Sequence, residues 1–175
     1  LFVFLGAFFY AIVYTVWLKR RTWLNIVFGG LAGSWAVLAG ATAADPQIGG
    51  VPLALALVLF LWTPPHFWSL AIAFRADYEA AGVPMLPVVV GDQRAANTIF
   101  LSTLALVAAS LLPLAFGLGA IYFAGAALGG FLFVQKAWRL TRDPSRRSAM
   151  VCFHASLIQL TLVLLAAIVD RQFTF

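Results

Sequence analysis

Two clusters of residues in this chain have the types and spacing to do chemistry. One is Leu61-Trp62-Thr63-Pro64-Pro65-His66-Phe67-Trp68, running on to Arg75, Asp77, Tyr78 and Glu79. It puts a histidine beside two backbone-breaking prolines in the middle of an apolar run. An ionisable group held at membrane depth is costly, so it reads as a functional position facing a cavity or another helix. The other cluster is Tyr10, Tyr14 and Trp17, followed by Lys19-Arg20-Arg21-Thr22 and Asn25. Tyr10, Tyr14 and Trp17 recur at i, i+4 and i+7, so an α-helix would line them along one face. A guanidinium suits phosphate oxygens and a lysine adds a compact charge. Asp77 and Glu79 are poor direct ligands for phosphate but suit Mg²⁺, which bridges to it. Basic and acidic groups gathered at one mouth match a diphosphate–magnesium complex.

The prolines cannot donate backbone hydrogen bonds, so they are expected to kink their helix and free carbonyls one turn earlier. His66 and Asp77 are eleven residues apart, about three turns and about 16 Å along a continuous helix, with Ser69 and Ala73 between them on the same face. That predicts one wall with a histidine deep inside and a carboxylate at its rim. The alternative for His66 is an interhelical hydrogen bond, and for the tyrosine–lysine cluster an aromatic belt with basic anchors.

The elements that must position these groups are membrane spans. Of 175 residues 63% are hydrophobic and 10% charged, which excludes disorder and argues against an ordinary soluble domain. The apolar residues come in blocks close to the ~20 residues that cross a bilayer. Six spans are predicted, over residues 1–18, 26–44, 51–74 (broken at Pro64-Pro65), 97–116, 118–134 and 150–169, giving an all-α polytopic bundle. Glycines at close spacing in the second and fifth spans let helices approach each other.

The net charge of +5 does not indicate nucleic acid, because the cations lie between the apolar blocks. Lys19, Arg20, Arg21, Arg75, Arg94, Lys136, Arg139, Arg142, Arg146 and Arg147 fall on one side of a six-span alternation, and Arg171 alone falls on the other. The positive-inside rule then puts the loops at 19–25, 75–96 and 136–149 on the cytoplasmic or matrix side. The last of these reads as a topology anchor at the lipid headgroups. Cys152 is a lone core thiol with no disulfide partner or metal motif. The chain opens on Leu1 inside an apolar run, which reads as a piece whose upstream helices are missing.

Tyr14-Thr15-x-x-Leu18-Lys19-Arg20-x-Thr22-x-x-Asn25-Ile26, continuing into Gly29-Gly30-x-Ala32-Gly33, resembles a motif of the intramembrane UbiA-type prenyltransferases. The block from Trp62 to Trp68, with Asp77-Tyr78-x-x-Ala81-Gly82-Val83-Pro84-Met85-Leu86-Pro87-Val88, is similar to the haem-farnesylating branch of that family. The resemblance implies a single transmembrane prenyltransferase domain over 1–175, with about six of nine expected helices. It implies transfer of the farnesyl group of farnesyl diphosphate to a vinyl group of haem b, with Mg²⁺ as cofactor, and association with haem A synthase or oxidase assembly. In these terms Asp77, Lys19 and Arg20 are catalytic, and Asp77 and Glu79 hold metal. Tyr14, Asn25, His66, Trp62, Arg75 and Tyr78 bind substrate. The implied location is the bacterial plasma membrane, with the mitochondrial inner membrane as alternative.

The chain departs from the family pattern in three ways: no first aspartate-rich motif, fewer acids around Asp77, and Ser34-Trp35-Ala36 where a proline pair is usual. The isolated piece is therefore expected to be inactive. The competing readings are a quinone or chlorophyll prenyltransferase, which the Pro-Pro-His block argues against, and a transporter, which should show matched interruptions in two halves.

Overall fold

A computed structural model describes residues 1–173. The described residues form helices and turns with no strand. Helix α1 (Phe2–Phe8) runs directly into a π-helix (Phe9–Leu18). There follow α2 (Asn25–Ala44), α3 (Gly50–Ala73), α4 (Arg75–Ala80), α5 (Leu86–Val90), α6 (Asp92–Ala109), α7 (Ala120–Arg142) and α8 (Arg146–Phe173). Five of the helical stretches are long and apolar enough to cross a membrane, and the first, Phe2–Leu18, is shorter. The expectation of an all-α membrane bundle holds.

α3 is the centre of the bundle, packed on α2, α6 and α8. Its helix continues through Pro64 and Pro65. The carbonyl that Pro64 leaves unbonded belongs to Phe60. Gly30 of α2 lies against it, since a Cβ on Gly30 would sit 3.3 Å from the Phe60 oxygen and 3.1 Å from the Thr63 side chain. Ser34 ties the same pair of helices, donating to the Ala56 carbonyl at 2.9 Å. α7 and α8 pack as closely, because Gly129 faces the Gln159 backbone with only 3.0 Å available for a Cβ. Small residues here do what lipid cannot, bringing backbones together so that dispersion forces hold them.

At the far end of α7, Asp170 of α8 accepts hydrogen bonds from the backbone N–H groups of Gly119 (2.6 Å), Ile121 (3.1 Å) and Tyr122 (3.1 Å). A helix start leaves its first N–H groups unbonded, so a buried carboxylate there satisfies donors and complements the dipole. Asp170 is thus a helix cap supplied by a neighbouring span.

The expected spans hold, with three local differences. The fourth, Asp92–Phe116, ends where expected, but its α-helix stops at Ala109 and its last turn (Leu112–Phe116) is 3₁₀, because Pro113 has no N–H to continue the helix. The basic segment at 136–149 is largely helical: α7 runs on to Arg142, α8 begins at Arg146, and residues 143–145 alone connect them. The third span ends at Ala73 and turns at Phe74 (φ −121°, ψ 33°) into the separate helix α4.

Candidate functional site

The turn at Phe74 breaks the wall expected from the His66–Asp77 spacing. Phe74 gives its N–H to Leu70 and its carbonyl to the N–H groups of Asp77 and Tyr78, closing one helix and opening another. The run of apolar residues stops there, and Arg75 meets Asp92 at 3.4 Å at the start of α6. His66 and Asp77 therefore lie on different helices and share no face.

Within α3 the Pro-Pro-His block divides between two neighbours. Trp62 and His66, four residues apart, face α8. The Trp62 indole N–H donates to the Ser156 carbonyl at 2.8 Å, and His66 Nδ1 meets Ser156 Oγ at 2.7 Å. The His66 ring lies between Trp62 (centroids 4.0 Å) and Phe153 (4.4 Å), both nearly parallel to it. The interhelical alternative describes these contacts. Thr63 and Phe67, one position further round, face the other way and line a cavity of about 230 Å³ with Tyr10, Tyr14, Lys19, Ile26 and Gly29.

The first cluster reaches that cavity through the π-helix. Its backbone bonds close i to i+5, as Lys19 N–H to Tyr14 O (2.8 Å) shows, and the Thr15 hydroxyl also donates to Tyr10 O (2.8 Å). At about 4.4 residues per turn the nine steps from Tyr10 to Lys19 make about two whole turns, so Tyr10, Tyr14 and Lys19 share a face. In an α-helix at about 100° per residue, Lys19 would point half a turn away. The expected Tyr10–Tyr14–Trp17 face is corrected accordingly: Trp17 does not line the cavity, and Lys19 takes its place beside the tyrosines. The ammonium stands 5.9 Å from the centre of the Tyr14 ring, at the edge of cation–π range. Asn25, fully buried, gives its Nδ2 to the Lys19 carbonyl at 3.1 Å and fixes the end of the π-helix. Its Oδ1 has no hydrogen-bond partner. Asn25 thus positions Lys19 from behind and does not line the cavity.

A second hollow of about 350 Å³ lies at the same end, lined by Arg20, Arg21, Glu79, Gly82, Val83, Pro84 and Val88. It brings the basic turn after the first span to the acidic helix after the third. Tyr78 is half-buried on α4, and burial pushes its phenol above the ordinary value. Asp77 is exposed on α4 and lines neither hollow. Residues two apart on a helix do not face each other, so Asp77 and Glu79 do not fit as a chelating pair for one ion. Among the described residues no group of three acidic, histidine or cysteine side chains gathers as a metal site. Each carboxylate alone fits the usual arrangement for Mg²⁺, in which phosphate and water fill most of the coordination sphere. Arg75 is engaged with Asp92 and stands apart from both hollows.

Tyr10, Thr63, Phe67 and Gly29 lie within the motifs read from sequence, which assign them no site role; they line the cavity. Only the π-helical register, which has no sequence signature, assigns Tyr10 and Lys19 to one face.

The fold and the two hollows define a membrane-embedded site with a basic mouth and an aromatic interior, and residues 1–158 match the UbiA prenyltransferase family. The chain belongs to that family. It is 60% identical over 170 residues to protoheme IX farnesyltransferase 2 of Paramagnetospirillum magneticum, covering 97% of this chain and 59% of that protein. Protoheme IX farnesyltransferase 1 of the same organism is 54% identical over 173 residues, covering 98% and 61%. Protoheme IX farnesyltransferase 1 of Cenarchaeum symbiosum is 43% identical over 174 residues, covering 99% and 59%. The chain thus spans about six-tenths of the length of these relatives. No solved structure matches it.

Proposed function

We propose that the protein containing this chain transfers the farnesyl group of farnesyl diphosphate to a vinyl group of haem b, giving haem O for terminal-oxidase haem. The observation that carries this reading is the single cavity joining Tyr10, Tyr14 and Lys19 to Thr63 and Phe67. It unites the family's basic motif with the block particular to its haem-farnesylating branch. The names of the relatives point to the same substrates.

In this reading Lys19 and Arg20 bind the diphosphate as the bond between its oxygen and C1 of the prenyl chain breaks. Charge developing on a leaving group is best met by donors already in place. Mg²⁺ would neutralise part of that charge, with Asp77 or Glu79, each acting singly, as the carboxylate offered to it. Tyr10, Tyr14 and Phe67 present ring faces to the allylic cation, shielding it from water until the vinyl π electrons form the new carbon–carbon bond. The porphyrin-side cation then takes up water and releases a proton. At about 230 Å³ the cavity falls below the roughly 300–1,000 Å³ of whole-ligand sites, so it suits the head of the prenyl substrate and not haem as well. Positive-inside asymmetry supports a mouth on the cytoplasmic or matrix side, and in this reading the membrane is a bacterial plasma membrane. Haem A synthase is a natural consumer of the product.

The test is expression of the intact protein in cells that lack the activity, with chromatography of the extracted haems. Haem O is the expected product; haem b alone refutes the proposal.

A further inference from the structure

Away from this mouth, where α7 meets α8, lies a hollow of about 340 Å³ lined by Lys136, Arg139, Asp143, Arg147, Ser148 and Val151. Three cations converge on it from two helices. Among the described residues the one ion pair is Arg75–Asp92, so none of the three is neutralised by a salt bridge. The carboxylate within reach, Asp143, is already engaged, accepting from Ser148 Oγ at 2.6 Å and Ser145 Oγ at 2.9 Å. Those hydroxyls hold it below the usual carboxylate range, Ser148 contributing most. The hollow is therefore a basic cup with its acid tied to the rim.

We propose that this cup binds the phosphate of an anionic phospholipid headgroup. Arg139 and Arg147 offer planar donor forks for its oxygens and Lys136 a point charge. A lipid is favoured over a free phosphate by the setting. Val151, further along α8 than Arg147, adds an apolar side chain to the lining, and Trp138, on α7 between Lys136 and Arg139, is 46% exposed. The Arg142 guanidinium lies 4.9 Å from the Trp138 ring. An exposed tryptophan carrying an arginine marks the level of the headgroups. Trp138 also walls an apolar hollow of about 360 Å³ with Phe100, Phe131, Val134 and Gln135, a surface suited to an acyl chain.

The cations at this junction thus hold a particular lipid, beyond setting topology. The intact protein is purified in neutral detergent and titrated with short-chain phosphatidylglycerol, phosphatidylcholine or inorganic phosphate, with bound lipid counted by native mass spectrometry. Phosphatidylglycerol should bind saturably and at least ten-fold more tightly than phosphatidylcholine. Each cation changed to glutamine should weaken it about five-fold, and the triple variant K136Q/R139Q/R147Q about 100-fold. Arg139→Lys, which keeps the charge and loses the fork, should fall between native and Arg139→Gln, and Arg171→Gln at the opposite end should bind as native. Equal binding of the two lipids overturns the proposal, as does unchanged affinity in Arg139→Gln and Arg147→Gln. Inorganic phosphate binding as tightly as the lipid, with the same dependence on these cations, overturns the lipid assignment.

Discussion

Replacing Asp170 by alanine removes the carboxylate that closes the start of α7. Its side chain is 2% exposed and accepts three backbone N–H groups, at 2.6, 3.1 and 3.1 Å. Polar contacts between membrane spans average about 0.6 kcal/mol each, so the three bonds set a floor of about 2 kcal/mol. Leaving buried donors without an acceptor costs roughly 1–3 kcal/mol per group, and a charge at a helix start adds up to about 2 kcal/mol. The expected loss for Asp170→Ala is about 3–5 kcal/mol. Asp170→Asn keeps one acceptor oxygen and should lose about 1–2 kcal/mol. The assay is reversible unfolding of the intact protein in mixed micelles, followed by tryptophan fluorescence. If the alanine variant unfolds within about 0.5 kcal/mol of native, Asp170 does not cap α7 in the way its contacts indicate. If asparagine costs as much as alanine, charge dominates and the geometry matters little.

Further consequences follow from the packing. A methyl group on Gly29 would come within 2.9 Å of Tyr14 Cδ2, so Gly29→Ala should displace the tyrosine wall, cost about 1–3 kcal/mol and raise KM for the prenyl diphosphate several-fold. His66→Gln should lower the unfolding temperature while leaving KM for haem b unchanged, because the ring serves α3–α8 packing; a selective rise in that KM would restore a haem contact. Asp143 has a lowered pKa in the folded chain, so its contribution to the α7–α8 turn is full above the ordinary carboxylate value near ~3.9 and is lost as pH falls through the lower folded value. Hydrogen exchange at the Ser148 amide should stay protected at pH 5 and open only in stronger acid; opening already at pH 5 contradicts this.

The spans were legible because hydropathy and the length needed to cross a bilayer are properties of the chain alone. The pairing of the basic motif with the Pro-Pro-His block was legible at the level of motifs, and one cavity now joins them. The residues doing the joining were not. Thr63 and Phe67 carry the block's contribution, while Trp62 and His66 turn to Ser156, a choice set by a helix ninety residues away. A π-helix leaves no mark on composition or period, so Lys19 and Trp17 exchanged faces. The break at Phe74 leaves Arg75 meeting Asp92, and the role of Asp170 depends on α7 beginning beside it. The roles of Trp62, His66 and Asp170 are set by tertiary partners that local sequence does not name.

The central claim is that Lys19, carried by the π-helix into the cavity of Tyr10, Tyr14, Thr63 and Phe67, binds the diphosphate that departs. It is tested most directly by single-turnover transfer of farnesyl to haem b in the intact protein bearing Lys19→Gln. Removing a charged contact to the leaving group should slow transfer about 100-fold or more, with unfolding behaviour unchanged. A rate within two-fold of native would contradict the account.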